Sequence, residues 1–326
     1  MVSKHIITFN LTPNTMKILA YMLGFSLCLL ATACQQQKQD SSENNTQKTD
    51  TTGVSSASET APSPSVPAQE EDTEAVIAQI REQFRAVETA ADKLSSLSFV
   101  LADAAPKEQL ITAYFNNGQL VKISVETAVG HIWNGTHYYL KDGIPYFVFE
   151  QKTEESAVRG PFTITENRFY LHNHKVIKAL LKQKEFKGDG QQVNMDDAPV
   201  KDITARDESP EGTAEAFESR CRLLCKYIES IRKLKGTWQS TDDDKSILRI
   251  DDQGWVFEYR GQAKASSDRF YANYFAYADH TYPIKIQLNG KDSGELMEYS
   301  ILKQTEDSLS LTYLARGNTL TFIRKK

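Results

Sequence analysis

Cysteine is scarce: four in 326 residues, with Cys28 and Cys34 in or at the end of an apolar N-terminal run, so that Cys221 and Cys225 are all the body keeps. That excludes a scaffold built on disulfides. Basic charge is in short supply too, with 38 Lys and Arg against 43 Asp and Glu and a formal net charge of −5. Nothing there neutralises a phosphate backbone, so nucleic acid is not an expected partner. The six histidines fall without metal-ligand spacing, and no Gly-x-Ser-x-Gly nucleophile elbow is present. No metal, no other cofactor and no enzyme activity are therefore expected. A membrane-spanning run is missing as well: Ile18 to Ala33 is about 16 residues, roughly 24 Å as a helix, short of the ~30 Å hydrocarbon core.

What stands at the N-terminus is a short basic start at Lys17, that apolar stretch, and the small residues Ala31, Thr32 and Ala33 before Cys34. This is the layout of a secretory signal over 1–33. Residues 34–72 follow, composed almost wholly of Gln, Ser, Thr, Asp, Glu, Pro and small residues, with Val54 and Val66 the sizeable apolar groups. Such a segment cannot offset chain entropy by burial and is read as a disordered tether, with an r.m.s. reach of ~35 Å.

From Thr73 the pattern turns helical: Ile77, Ile80, Phe84, Val87, Ala91 and Leu94 recur at spacings of three and four. Three similar stretches follow at 113–123, 138–148 and 169–179, each running aromatic residues into a polar turn and an apolar return. Asn117-Gly118 and Asp142-Gly143 are strong hairpin signals, and His172-Asn173-His174 occupies the third turn. The expectation for 73–186 is a helix on an antiparallel sheet of about six strands. Tyr114, Tyr138, Tyr139, Tyr146 and Tyr170 are read as cross-strand packing rather than a ligand surface. His172 and His174 are read as a solvated turn; Ser124, His137 and Asp142 supply the residue types of a triad with no motif to fix their geometry.

Residues 187–212, rich in Gly, Asp, Pro and Glu, read as a linker. A helix over 213–234 carries the stripe Phe217, Cys221, Leu224, Ile228 and Ile231, in which the cysteines behave as small hydrophobes. From 235 the chain alternates, and strands are predicted at 236–241, 246–250, 254–260, 269–277, 282–288, 295–304, 308–314 and 318–324. Eight strands in meander order predict a small closed barrel, because closure removes exposed edges. The fold class predicted is thus α+β plus all-β.

The small residues before Cys34 resemble a bacterial lipobox, which implies that Cys34 carries the lipid. Gln35 after it, by likeness to enteric sorting, implies the outer membrane, facing the periplasm or the cell surface. The hairpin stretches resemble MORN-like repeats and segments of exported Bacteroides-group proteins. "LKGTWQSTDDDKSILRI" and "SLSLTYLARGNTLTFIRKK" resemble the ends of the lipocalin-like domains of envelope lipoproteins from that group. The resemblance implies a barrel signature of Gly236, Trp238 and a packing arginine, Arg324 first and Arg316 second. It also implies a small apolar molecule or lipid as ligand, with Trp255, Phe257, Tyr259, Tyr299 and Tyr313 facing it. The alternatives are a barrel filled by its own aromatic side chains and a structural or adhesive role through an envelope protein partner.

Overall fold

Helix α1 (Thr73–Thr89) begins where Asp72 accepts a hydrogen bond from the Glu74 amide at 3.1 Å, satisfying a donor that the first turn leaves open. We describe a computed structural model of the chain over residues 72–102, 108–156, 160–187, 193–204, 213–259, 262–263, 269–277 and 283–325. The predicted signal, Cys34 and the tether lie outside the described residues. The described residues all fall in one compact unit. The helix ends sooner than its periodicity predicts. Ala91–Lys93 tightens into a 3-10 turn and Leu94 is already extended, so the chain enters a strand.

Strands β1 (Ser95–Ala102), β2 (Gln109–Asn116), β3 (Gln119–Val129), β4 (Ile132–Lys141), β5 (Ile144–Glu155), β6 (Phe162–His172), β7 (Lys175–Phe186) and β8 (Val200–Asp202) pair in sequence order as an antiparallel meander. The six predicted hairpin strands are β2 to β7. The outer two, β1 and β8, are additional: β8 is three residues with Val200 its one apolar side chain, while β1 alternates Leu97, Phe99 and Leu101 toward the core. The three repeats are alike in geometry as well as in sequence. Asn117, Asp142 and Asn173 all hold positive φ of 49°, 53° and 48°, as two-residue hairpin turns require. Each hairpin also shifts register at the same place, between Tyr114 and Phe115, Tyr139 and Leu140, and Tyr170 and Leu171. An extra residue on the return strand takes up each shift.

The two faces of this sheet are covered by different elements. Ile77 and Ile80 of α1 pack with Tyr139, Phe147 and Tyr170, with Phe84 edge-on to Tyr139 at 5.0 Å. The opposite face meets α2 (Ala214–Arg232), whose Phe217 ring lies 5.0 Å from Phe169 and 6.3 Å from Tyr138. The predicted α2 stripe of Phe217, Cys221, Leu224, Ile228 and Ile231 is buried throughout. Burial pushes the Cys221 thiol well above its ordinary pKa, and both cysteines are free thiols.

The barrel is built from β9 (Gly236–Ser240), β10 (Ser246–Asp251), β11 (Gly254–Tyr259), β13 (Phe270–Tyr277), β14 (Lys285–Gly290), β15 (Leu296–Gln304), β16 (Ser308–Tyr313) and β17 (Asn318–Arg324). A two-residue strand, β12 (Gln262–Ala263), hangs on the end of β11. Eight antiparallel strands close on themselves where Phe322, Ile323 and Arg324 pair with Ser240, Gln239 and Trp238. The predicted strand bounds hold to within a few residues. Sheet and barrel are joined through β1, since Val100, Leu101 and Ala102 pair in parallel with Phe275, Ala276 and Tyr277 of β13. One apolar core runs from the sheet through α2 into the barrel.

Candidate functional site

The barrel is plugged at the end where α2 enters it. Buried Leu234 sits between helix and β9, and its carbonyl accepts from the Trp238 indole at 2.7 Å. Over that indole lies the Arg324 guanidinium, 4.1 Å from the ring. Its nitrogens donate to the carbonyls of Lys233 at 2.7 Å, Lys235 at 2.7 Å and Glu306 at 2.5 Å. Gly236 completes the arrangement at φ +138°, where a Cβ would collide with the guanidinium. These three signature residues therefore meet in one cluster; Arg316 sits in the β16–β17 turn. Gln304 also holds this end, donating to the Ser230 carbonyl of α2 at 2.9 Å.

Above the plug, Trp238, Leu248, Trp255, Ile286, Leu288, Leu309 and Leu311 have no accessible surface, so no water-sized space adjoins them. The Trp255 indole donates to the Tyr274 hydroxyl at 3.2 Å inside the barrel. Nearer the opposite end the rings meet across the lumen. Phe257 of β11 stacks on Tyr299 of β15 at 6.2 Å, and Tyr299 lies 5.1 Å from Tyr313 of β16. Tyr299 is 4% exposed, whereas Phe257 and Tyr313 are half-buried and Tyr259, in the same inward phase but at the rim, is 44% exposed. Met297, Leu320 and Tyr274, partly buried, pack against the same core and are not among the expected ligand-facing residues. Alternation alone cannot tell an open position from a core one.

The rings of Phe257, Tyr299 and Tyr313 carry no charge at neutral pH. Burial, with Tyr313 and Glu295 adding to it, pushes the Tyr299 hydroxyl up to about 12. The charged pairs Lys285–Glu298 at 2.8 Å and Arg249–Glu258 at 3.2 Å sit on strand positions of the outward phase. Such an arrangement of rings suits an apolar, ring-bearing or chain-like ligand and offers it the Tyr299 and Tyr313 hydroxyls.

The other residues singled out by sequence lie in the hairpin sheet. Ser124 and His137 are direct cross-strand partners, and the Ser124 hydroxyl is 2.8 Å from His137 Nδ1. Asp142 is not with them: it sits in the β4–β5 turn and accepts from Gln119 at 3.3 Å. Ser124 is 2% exposed, so the hydroxyl is out of reach of an attacking role. Burial first, and Lys122 second, lower the His137 pKa to about 4, against the opposing pull of Glu88. Tyr138, Tyr139 and Tyr170 are buried in packing, while Tyr114 and Tyr146 are half-buried. His174 turns to Glu218 of α2 at 2.9 Å. Among the described residues no three His, Cys, Asp or Glu side chains gather as a metal site, and no described helix is long and apolar enough to cross a membrane.

Comparison with known proteins finds no matching family model, curated sequence or solved structure. The functional reading therefore rests on the residues themselves.

Proposed function

We propose that the protein is a non-enzymatic lipoprotein of the cell envelope, held to the outer membrane through Cys34, that takes a small apolar molecule or lipid chain at the mouth of a lipocalin-like barrel. The observation that carries this reading is the asymmetry of the barrel: one end is plugged by α2 and Arg324, and the other presents the uncharged rings of Phe257, Tyr299 and Tyr313. An entering ligand would part the Tyr299–Tyr313 contact and replace it with its own apolar surface. Native mass spectrometry of the full chain in neutral detergent, followed by a panel of lipids and flat apolar compounds, tests it. Retention of one apolar ligand, lost in Tyr313→Asp, is the expected result. No ligand from either route refutes the reading. The anchor is tested separately by intact mass, where Cys34→Ala should lose the acyl mass.

A second reading, a structural or adhesive protein acting through an envelope partner, is favoured by the rings meeting across the lumen and by the inaccessible core beneath them. One stoichiometric protein partner recovered from membranes, with an empty barrel, would select it.

A further inference from the structure

Helix α2 buries one stripe and presents another to an open groove. Ala216, Ser219, Arg220, Arg222, Leu223 and Lys226 line this groove, about 500 Å³ in volume. Three of these six side chains are cations and none is an acid, on a chain whose net charge is −5. The local excess is therefore opposite in sign to the protein as a whole. Arg220 is braced, since its guanidinium donates to the side-chain carbonyl of Gln109 at the start of β2. Arg222 and Lys226 are exposed and stand one helical turn apart, where like charges repel unless an anion lies between them.

Among the described acids, Glu218 is taken by His174 at 2.9 Å and Glu229 by Lys233 at 2.8 Å, while Glu215 is exposed about one turn before Ser219 and Glu108 is exposed beside Gln109. We infer that the groove is a binding site for a phosphate group carried on a small molecule or a lipid headgroup. Two guanidinium forks and an ammonium offer more donors than one carboxylate can accept, and they match the several oxygens of a phosphate. The Ser219 hydroxyl adds a neutral donor, and Ala216 with Leu223 gives the groove an apolar flank for the carbon portion of the ligand. This site is separate from the barrel mouth and does not depend on what the mouth binds.

The test uses the full chain in neutral detergent micelles, beside the Arg222→Glu/Lys226→Glu double variant. Both positions are exposed, and circular dichroism verifies that the variant keeps its fold. One arm titrates glycerol 3-phosphate by calorimetry; the other measures retention of phosphatidylglycerol against phosphatidylcholine doped into the micelles. Wild type should bind at least one phosphate-bearing probe, weaken as salt rises, and lose roughly tenfold or more in affinity on charge reversal. Binding of glycerol 3-phosphate assigns a soluble source, and retention of phosphatidylglycerol alone assigns a headgroup. Failure of both probes, or affinities that charge reversal leaves unchanged, overturns the inference. Tyr313→Asp should leave this binding intact, which separates it from the fate of the barrel reading.

Discussion

Replacing Arg324 with Met keeps most of the side-chain stem and removes only the guanidinium, which makes it the sharpest test of how the barrel is closed. The wild-type group makes three hydrogen bonds to carbonyls, on Lys233, Lys235 and Glu306, and covers the Trp238 ring at 4.1 Å. Bonds to a charged donor are stronger than neutral ones, but this guanidinium is half-buried and water reaches part of it, so roughly 1 kcal/mol apiece is a fair value. The cation over the indole contributes about 1 kcal/mol more. Arg324→Met should therefore destabilise the protein by about 3–4 kcal/mol in urea unfolding followed by tryptophan fluorescence. Arg324→Lys keeps the charge but cannot donate to three diverging carbonyls, and about half that loss is expected. Because sheet, α2 and barrel share one core, both losses should appear in a single transition. A Met variant within about 1 kcal/mol of wild type, or a Lys variant equal to wild type, would refute the reasoning.

Three further outcomes follow from the same geometry. His137, held near pKa 4 against an ordinary 6.5, makes the unfolded chain the stronger proton binder between those values. Its contribution is complete above pH 6.5 and falls as pH drops toward 4, by roughly 2–3 kcal/mol. Glu126, whose pKa burial raises, works in the opposite sense at the acid end, so His137→Gln, measured by urea midpoints across this range, should remove the rise of stability with pH that His137 supplies and leave the opposing contribution of Glu126. Phe217→Ala removes the ring that packs on Phe169 and Tyr138 and should cost about 3–5 kcal/mol by thermal or urea unfolding. The fragment 235–326 lacks α2, Leu234 and β1, so its plug end is bare; it should show no cooperative unfolding, and a sharp transition would contradict the shared core.

Much of the fold was legible because local pattern and burial agree. The Asn-Gly and Asp-Gly turns sit where positive φ is needed, the stripe on α2 is the buried one, and the barrel strands alternate as their faces demand. Less legible was β1, whose significance lies in a parallel pairing with β13 far along the chain. The barrel interior was only partly legible. Phe257, Tyr299 and Tyr313 stood out as aromatic residues, whereas Met297, Leu320 and Tyr274 carry a signal no different from that of any core position.

Sequence by itself determined which residues turn, which alternate and which face of each element seeks burial, since those preferences are set by each residue and its near neighbours. Only the tertiary structure decided which strands meet: that β17 closes on β9 beneath Arg324, that Ser124 faces His137 without Asp142, and that three rings from β11, β15 and β16 bridge one lumen. The physical reason is that a period of two fixes inside from outside but carries no information about the partner across the ladder. That partner is selected by the burial both strands achieve together.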